Sequence, residues 1–184
     1  MNFAFNNLYQ ISLFIGGIVA LVSSITVYYD GPRRLENVGW FLSNFFAAIW
    51  SFGYLFMIST SDHDRAYLSN IILHWAATFI PLFYFFFALA ITNTYEKYKK
   101  FFYIFSFWAV LFLFLNPTKG FISDVFQKFV FNFAPDAGPL YKYFALYFFL
   151  IVLFAIFIIY KDIVIRNYSD KMEKKRMTFI LIAS

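Results

Sequence analysis

His74, Trp75 and Thr78 stand close together in one long apolar run, and Pro81 follows them. An imidazole, an indole N–H and a hydroxyl can each hydrogen-bond a ligand in apolar surroundings. Just before them the chain reads "STSDHDRAY", which contains Asp62, His63, Asp64 and Arg65. Asp62, Asp64 and His74 together match no metal-ligand spacing, and no second buried His completes a set. No metal site is expected. There is no Gly-rich phosphate loop, no nucleophile elbow and no pair of acidic residues at depth. Gly16-Gly17 falls inside an apolar run. No catalytic residue and no cofactor is expected, and the chain itself is not expected to be an enzyme. His74, Trp75 and Thr78 are read as a candidate ligand pocket. The plainer alternative for His74 is a hydrogen-bonded helix contact. Pro81 removes the bond from its own nitrogen to the Ala77 carbonyl, and acts either as a static bend or as a hinge. Thr78 is placed to help satisfy freed backbone groups, and Asn44 to bond across helices.

These residues need long apolar elements to position them. The chain is 62% hydrophobic and 14% charged, with a mean hydropathy of +0.67. A soluble domain carries about 25% charged residues. An integral membrane protein follows. Five apolar runs, at about 8–29, 38–58, 68–92, 101–115 and 140–159, are each long enough, or nearly so, to cross the hydrocarbon as helices. A sixth begins near Met177 and runs over 177–184. Runs this continuous exclude barrel strands, which alternate in polarity. The fold class expected is all-α: a polytopic transmembrane helix bundle with five complete spans and the start of a sixth. With no Cys, disulfides and thiolate chemistry are excluded. The N-terminal stretch has no Lys or Arg, so the first span is expected to be retained rather than cleaved.

The loops set the orientation. Arg33 and Arg34 follow the first run; Lys97, Lys99 and Lys100 follow the third. Lys161, Arg166, Lys171, Lys174, Lys175 and Arg176 follow the fifth. The alternate loops hold only Arg65, Lys119, Lys128 and Lys142. The positive-inside rule puts the first set in the cytoplasm and the N-terminus outside. The net charge of +5 is thus topological, and no nucleic acid is expected as a partner. No Asp, Glu, Lys or Arg lies deep in a span, unlike in pumps and ion-coupled transporters.

Gly39, Ser43, Ala47 and Ser51 place a small residue at every fourth position of the second span, and Gly16, Ala20 and Ser24 do so in the first. Such rows let backbones approach closely in lipid, so a tight antiparallel pairing of spans one and two is expected. The loop over 116–139 fits two templates. Phe121, Val125, Phe129 and Phe133 recur as on a helix, whereas Phe129, Phe131 and Phe133 alternate as in a strand.

"AAIWSFGYLFMIST", "HWAATFIPLFYFFFALAITN", "LFLNPTKGF", "GPLYKYFALYFFLIVLF" and "EKKRMTFILIAS" occur in that order over nearly the whole chain. In this order they resemble the N-terminal seven-transmembrane sensor region of bacterial and archaeal histidine kinases. The residues that carry the resemblance are Trp50, Gly53, Tyr54, Pro81, Phe87, Ala88, Asn116, Pro117, Gly138 and Pro139. Where that family often has a His after the fourth span, this chain has Lys119-Gly120. The resemblance implies a sensory input module in a prokaryotic plasma membrane, detecting an extracellular or intramembrane signal. Its implied partners are the lipid bilayer, an unidentified small-molecule or lipid-like ligand, and a second copy in a homodimeric receptor. It also implies that residues 1–184 are an input domain incomplete at its C-terminus, followed by further spans and a cytoplasmic output domain, a kinase for choice. The alternative is a fragment of a small-molecule transporter or permease.

The orientation is testable because there is no native Cys. Single substitutions Arg65→Cys and Lys128→Cys should react with an impermeant thiol reagent on intact cells, and Lys99→Cys and Lys174→Cys should not. Labelling at 99 with none at 65 would reverse the topology.

Overall fold

The computed structural model describes residues 2–30, 34–128, 131–165 and 171–182. Five long helices run as α1 (Asn2–Asp30), α2 (Leu35–Ser59), α3 (His63–Ile91), α4 (Tyr95–Leu115) and α5 (Tyr141–Ile165). Each is long and apolar enough to cross a membrane. In hydrocarbon the backbone must be bonded within its own segment, which is why runs this apolar become helices. A shorter helix, α6 (Lys171–Ile182), packs back on α5 through Met177, Ile180 and Leu181. Large apolar side chains such as Phe14, Val19, Phe107, Phe114 and Phe149 face outward, as a lipid-immersed bundle requires. The protein is an all-α polytopic membrane bundle.

Local signals account for the helix ends. Asp62 is the N-cap of α3, its carboxylate accepting the Arg65 N–H at 2.9 Å. At the other end Asn93 takes φ 53°, the left-handed conformation that Asn tolerates. The Thr94 N–H then reaches the Leu89 carbonyl at 2.9 Å and the Asn93 N–H reaches Ala90 at 3.1 Å, closing a Schellman cap. This turns the chain sharply into α4.

The segment after α4 is a strand pair, which resolves the two templates. β1 (Ile122–Lys128) pairs antiparallel with β2 (Phe131–Ala137), matching Ile122 with Ala137 and Val125 with Pro135. Ile122, Val125 and Ala134 are buried beneath it, and Asp124 and Phe126 face out. Pro135 could not have continued a helix, but it is tolerated on an edge strand. Phe129 lies outside the described residues. At the hairpin base the Gly138 N–H bonds the Phe121 carbonyl and the Leu140 N–H bonds Gly120, both at 2.8 Å. A Cβ on Gly138 would collide with the Gly120 carbonyl, so only glycine fits there.

α3 is the axis of the bundle. Over half of its apolar window is buried (56%), against 11% for α4. The main core joins its Leu82, Phe85 and Leu89 to Phe112 of α4 and to Ile151, Ile158 and Ile159 of α5. A second cluster at the hairpin end joins Leu13, Met57, Ile58, Leu73 and Val125.

α1 and α2 do pack together, but the small-residue row of α2 faces α3 rather than α1. A Cβ on Gly39 would lie 2.8 Å from the Phe87 backbone, and the Ser43 hydroxyl donates to the Ile80 carbonyl at 3.3 Å. Gly53 meets Leu73 in the same way, its hypothetical Cβ only 2.9 Å from the Leu73 Cβ. Ser51 is buried and Ala47 half-buried, while the neighbouring Ala48 is the buried alanine. α1 packs on α2 through Gly17, against the Phe52 ring, and through Ser23, which accepts the Trp40 indole N–H at 3.0 Å. The row Ser24, Ala20, Gly16 passes from buried to half-buried to open space. Each four-residue step overshoots a full turn by about 40°, so a strict i+4 row winds off one face.

Gly39→Leu should therefore force α2 off α3 and cost about 1–3 kcal/mol. Gly16→Leu should leave thermal unfolding in detergent within experimental scatter. Equal losses of folded protein from both changes would refute the α2–α3 contact as the one that matters.

Candidate functional site

His74 sits on the buried side of α3 with only 4% of its surface exposed. Three aromatic rings stand edge-on around it: Phe121 and Tyr141 with centroids at 5.7 Å, and Phe144 at 6.2 Å. Its Nδ1 lies 2.9 Å from the Asn70 carbonyl one turn earlier. A carbonyl only accepts, so Nδ1 carries the proton and the neutral ring presents Nε2 as an acceptor. Nε2 has no hydrogen-bond partner among the described residues. The Thr78 hydroxyl donates to the His74 carbonyl at 2.8 Å, and the Tyr147 hydroxyl of α5 donates to the Thr78 carbonyl at 3.1 Å. Asn70 itself is fully buried, and neither atom of its side-chain amide has a partner among the described residues.

Of the three residues read as a pocket, His74 alone lines the cavity between α2, α3 and α5; Thr78 is spent on the His74 carbonyl and Trp75 points elsewhere. Adjacent residues on a helix point about 100° apart. Trp75 faces the α4 side, 43% exposed, with its indole N–H donating to the Leu113 carbonyl at 3.1 Å. It lines a separate lipid-facing cleft with Phe46, Ile72 and Phe79. Thr78 bonds the His74 carbonyl, leaving the Ala77 carbonyl opposite Pro81 to other means. Asn44 likewise bonds within its own helix, to the Trp40 carbonyl at 3.0 Å, and not across helices.

The site that His74 enters is a cavity of about 650 Å³ between α2, α3 and α5. Trp50 and Ala47 form its α2 wall, Ala77 and Ile80 continue the α3 wall, and Tyr141, Phe144, Phe148 and Val152 line it from α5. The volume falls within the usual range for small-molecule sites. Trp50 and Tyr141 were not singled out by spacing. Trp50 is on another helix, and Tyr141 begins α5 after the hairpin, so no local pattern connects them to His74.

Pro81 is buried in α3, which continues as helix through it. Carbonyls near it draw donors from two neighbouring helices: Ser43 of α2 bonds Ile80, and Tyr147 of α5 bonds Thr78. Farther out, the buried Asn116 at the end of α4 donates to the Ile71 carbonyl at 2.7 Å. α3 is held by side chains from α2, α4 and α5.

The acidic residues before α3 belong to a different device. Asp62 is occupied as the cap, and His74 lies roughly 18 Å farther along the helix, so the two share no site. His63 Nε2 instead meets Asp124 Oδ1 of β1 at 2.9 Å, with Asp64 at 3.4 Å from its other nitrogen. Asn132 of β2 donates to the Ser59 and Thr60 carbonyls at 3.3 and 3.1 Å. These contacts fasten the hairpin across the α2–α3 turn. The Val125 N–H, and then His63, hold the Asp124 carboxyl below the usual carboxylate range. The Ser123 hydroxyl, and then Lys128, do the same for Asp136.

The glycines and polar residues that carry the family resemblance have structural duties: Gly53 on α3, Gly138 at the hairpin base, Asn116 on the α3 backbone. No curated protein and no solved structure matches the chain. The family model described as the N-terminal 7TM region of histidine kinase matches residues 12–184. That match takes in α2 to α5, the hairpin and the whole of the His74 cavity, and the chain belongs to this family of N-terminal histidine kinase membrane regions.

Proposed function

We propose that this chain is a sensory input module that binds its signal in the His74 cavity and relays it along α3 to a cytoplasmic kinase output domain. Membership of a histidine kinase input family supports the sensory role. The observation that carries the site is a cavity of about 650 Å³ bounded by three different helices, with a buried imidazole in its wall. A ligand there touches α2, α3 and α5 together, so it can favour one arrangement of the three over another. In this reading the hairpin end is outside the cell and the lysine-rich end is in the cytoplasm of a prokaryote. The receptor works as a homodimer.

The relay follows from what grips α3. The Tyr147 hydroxyl holds the Thr78 carbonyl one turn past His74, and Pro81 follows within the next turn. A ligand that moves α5 against His74 moves that grip. Pro81 lacks the N–H that would tie it to Ala77, so α3 bends there at less cost than elsewhere. The far end of α3 is capped tightly into α4, which carries displacement to the cytoplasmic surface.

The test is made in the intact receptor reconstituted in vesicles. Ala145→Phe fills the cavity from α5 and should make autophosphorylation insensitive to stimulus, a change of about five-fold or more in the response, with expression unchanged. Normal signalling with the cavity filled would overturn the assignment of the site. Pro81→Ala should restore the bond to Ala77 and alter the size of the response more than the yield of protein. An unaltered response would make Pro81 a packing detail.

A further inference from the structure

The cavity has a direction. Trp50, His74 and Tyr141 lie at its hairpin end, while Ala47, Ala77, Ile80 and Val152 lie deeper along the same helices. From Tyr141 to Val152 it extends roughly 16 Å along α5. The three hairpin-end residues come from three different helices. The Trp50 indole N–H, the Tyr141 hydroxyl and His74 Nε2 have no hydrogen-bond partner among the described residues. Their chemistry is complementary rather than redundant. The indole only donates, Nε2 of the ring fixed by Asn70 only accepts, and the phenol does either. No Lys, Arg, Asp or Glu lines the cavity, so nothing in it neutralises a charged head group.

We propose that the ligand is an uncharged lipophilic alcohol, whose hydroxyl donates to His74 and accepts from Trp50 or Tyr141 while its alkyl chain lies along α5 toward Val152. A hydroxyl meets both demands with one group. An ether or a ketone accepts only and leaves Nε2 unpaired. An alkane leaves all three groups unpaired, and an anionic or cationic head is left without a counter-charge in a low-dielectric site. Phe149 lines the cavity and is exposed toward lipid, so the ligand enters sideways from the bilayer. The proposal rests on the His74 cavity being the sensing site.

The experiment is photolabelling of the intact receptor in phosphatidylcholine nanodiscs with a dodecanol analogue carrying a diazirine in its chain. Labelled peptides are mapped by mass spectrometry. Label should concentrate on 144–152 of α5, and unlabelled dodecanol should displace it. Methyl dodecyl ether should compete about ten-fold less well, and dodecane, dodecylamine and dodecanoate less well still. Tyr141→Phe, and replacement of Trp50 by its sulfur isostere benzothienylalanine, keep the ring shapes and remove only the polar group. Each should weaken dodecanol by about three- to ten-fold, the effect of one hydrogen bond, and leave competition by dodecane unchanged. A dioleoylglycerol arm separates a membrane-resident source from a free alcohol, whichever competes at the lower concentration being the source. Equal competition by dodecane and dodecanol would overturn the alcohol while leaving the cavity as the sensing site. Label spread evenly over the lipid-facing surfaces, together with normal signalling by Ala145→Phe, would overturn both.

Discussion

Two helices immersed in lipid gain little from burying apolar surface against each other, because the lipid is as apolar as they are. The contact on which this bundle depends is therefore one of shape: the approach of α2 to α3 at Gly39 and Gly53. At both places the missing Cβ is the space that Phe87 and Leu73 occupy. Closeness there gains dispersion contacts that lipid chains cannot reproduce, and it brings Ser43 within reach of the Ile80 carbonyl. With α2 fixed on one side of α3 and α5 on another, the three helices leave a gap where small residues, Ala47, Ala77 and Ala145, meet. The cavity is the counterpart of the close contact: α2 is held near α3 by glycines toward its two ends, and Ala47 and Ala77 leave room between them.

Polar side chains complete this arrangement in a consistent way. Ser43, Tyr147 and Asn116 each donate to a main-chain carbonyl of α3, and Trp75 of α3 donates to one of α4. Carbonyls have a second lone pair after the helix bond is made, so such contacts add cross-helix bonds without breaking the ladder. They also avoid the cost of a charge in hydrocarbon. Where the ladder is already interrupted, at Pro81, the donors cluster. Tyr147 and Ser43 grip α3 from different helices at Thr78 and Ile80, between Ala77, whose carbonyl lost its partner, and Pro81. The stretch of α3 with the weakest internal bonding is thus also tied to its neighbours on two sides.

Much of the fold was legible because membrane immersion reduces the choices to a few. Long apolar runs gave the helices and the fold class. What escaped was rotation about each helix axis. In a soluble helix the polar face declares itself, but in lipid both faces are apolar, so the row of Gly39, Ser43, Ala47 and Ser51 announced a contact without naming the partner. For the same reason Trp75 was grouped with His74 by proximity in sequence, and Asn44 was assigned across helices although its own turn satisfied it. The hairpin was ambiguous because Phe recurs so densely over 121–133 that two periods fit. Of the candidate site, His74 was singled out in the sequence, while Thr78, one turn on, is turned back onto its own helix and does not line the cavity. Trp50 and Tyr141 reach it only through the tertiary fold.

The hairpin gives the site its remaining property. His63 with Asp124, and Asn132 with the α2–α3 turn, fasten a small sheet over one end of the bundle. Phe121, at the base of that sheet, lies against the His74 ring, and so does Tyr141 just beyond the hairpin. Those rings cover the imidazole on the hairpin side, and Phe149 lines the cavity with an exposed face. An acceptor without a partner in apolar surroundings is costly, and a matching donor is correspondingly valuable. The hairpin therefore belongs to the His74 site as well as to the end of the bundle: Phe121 at its base supplies one of the rings around the imidazole, and its ties to the α2–α3 turn hold that ring in place.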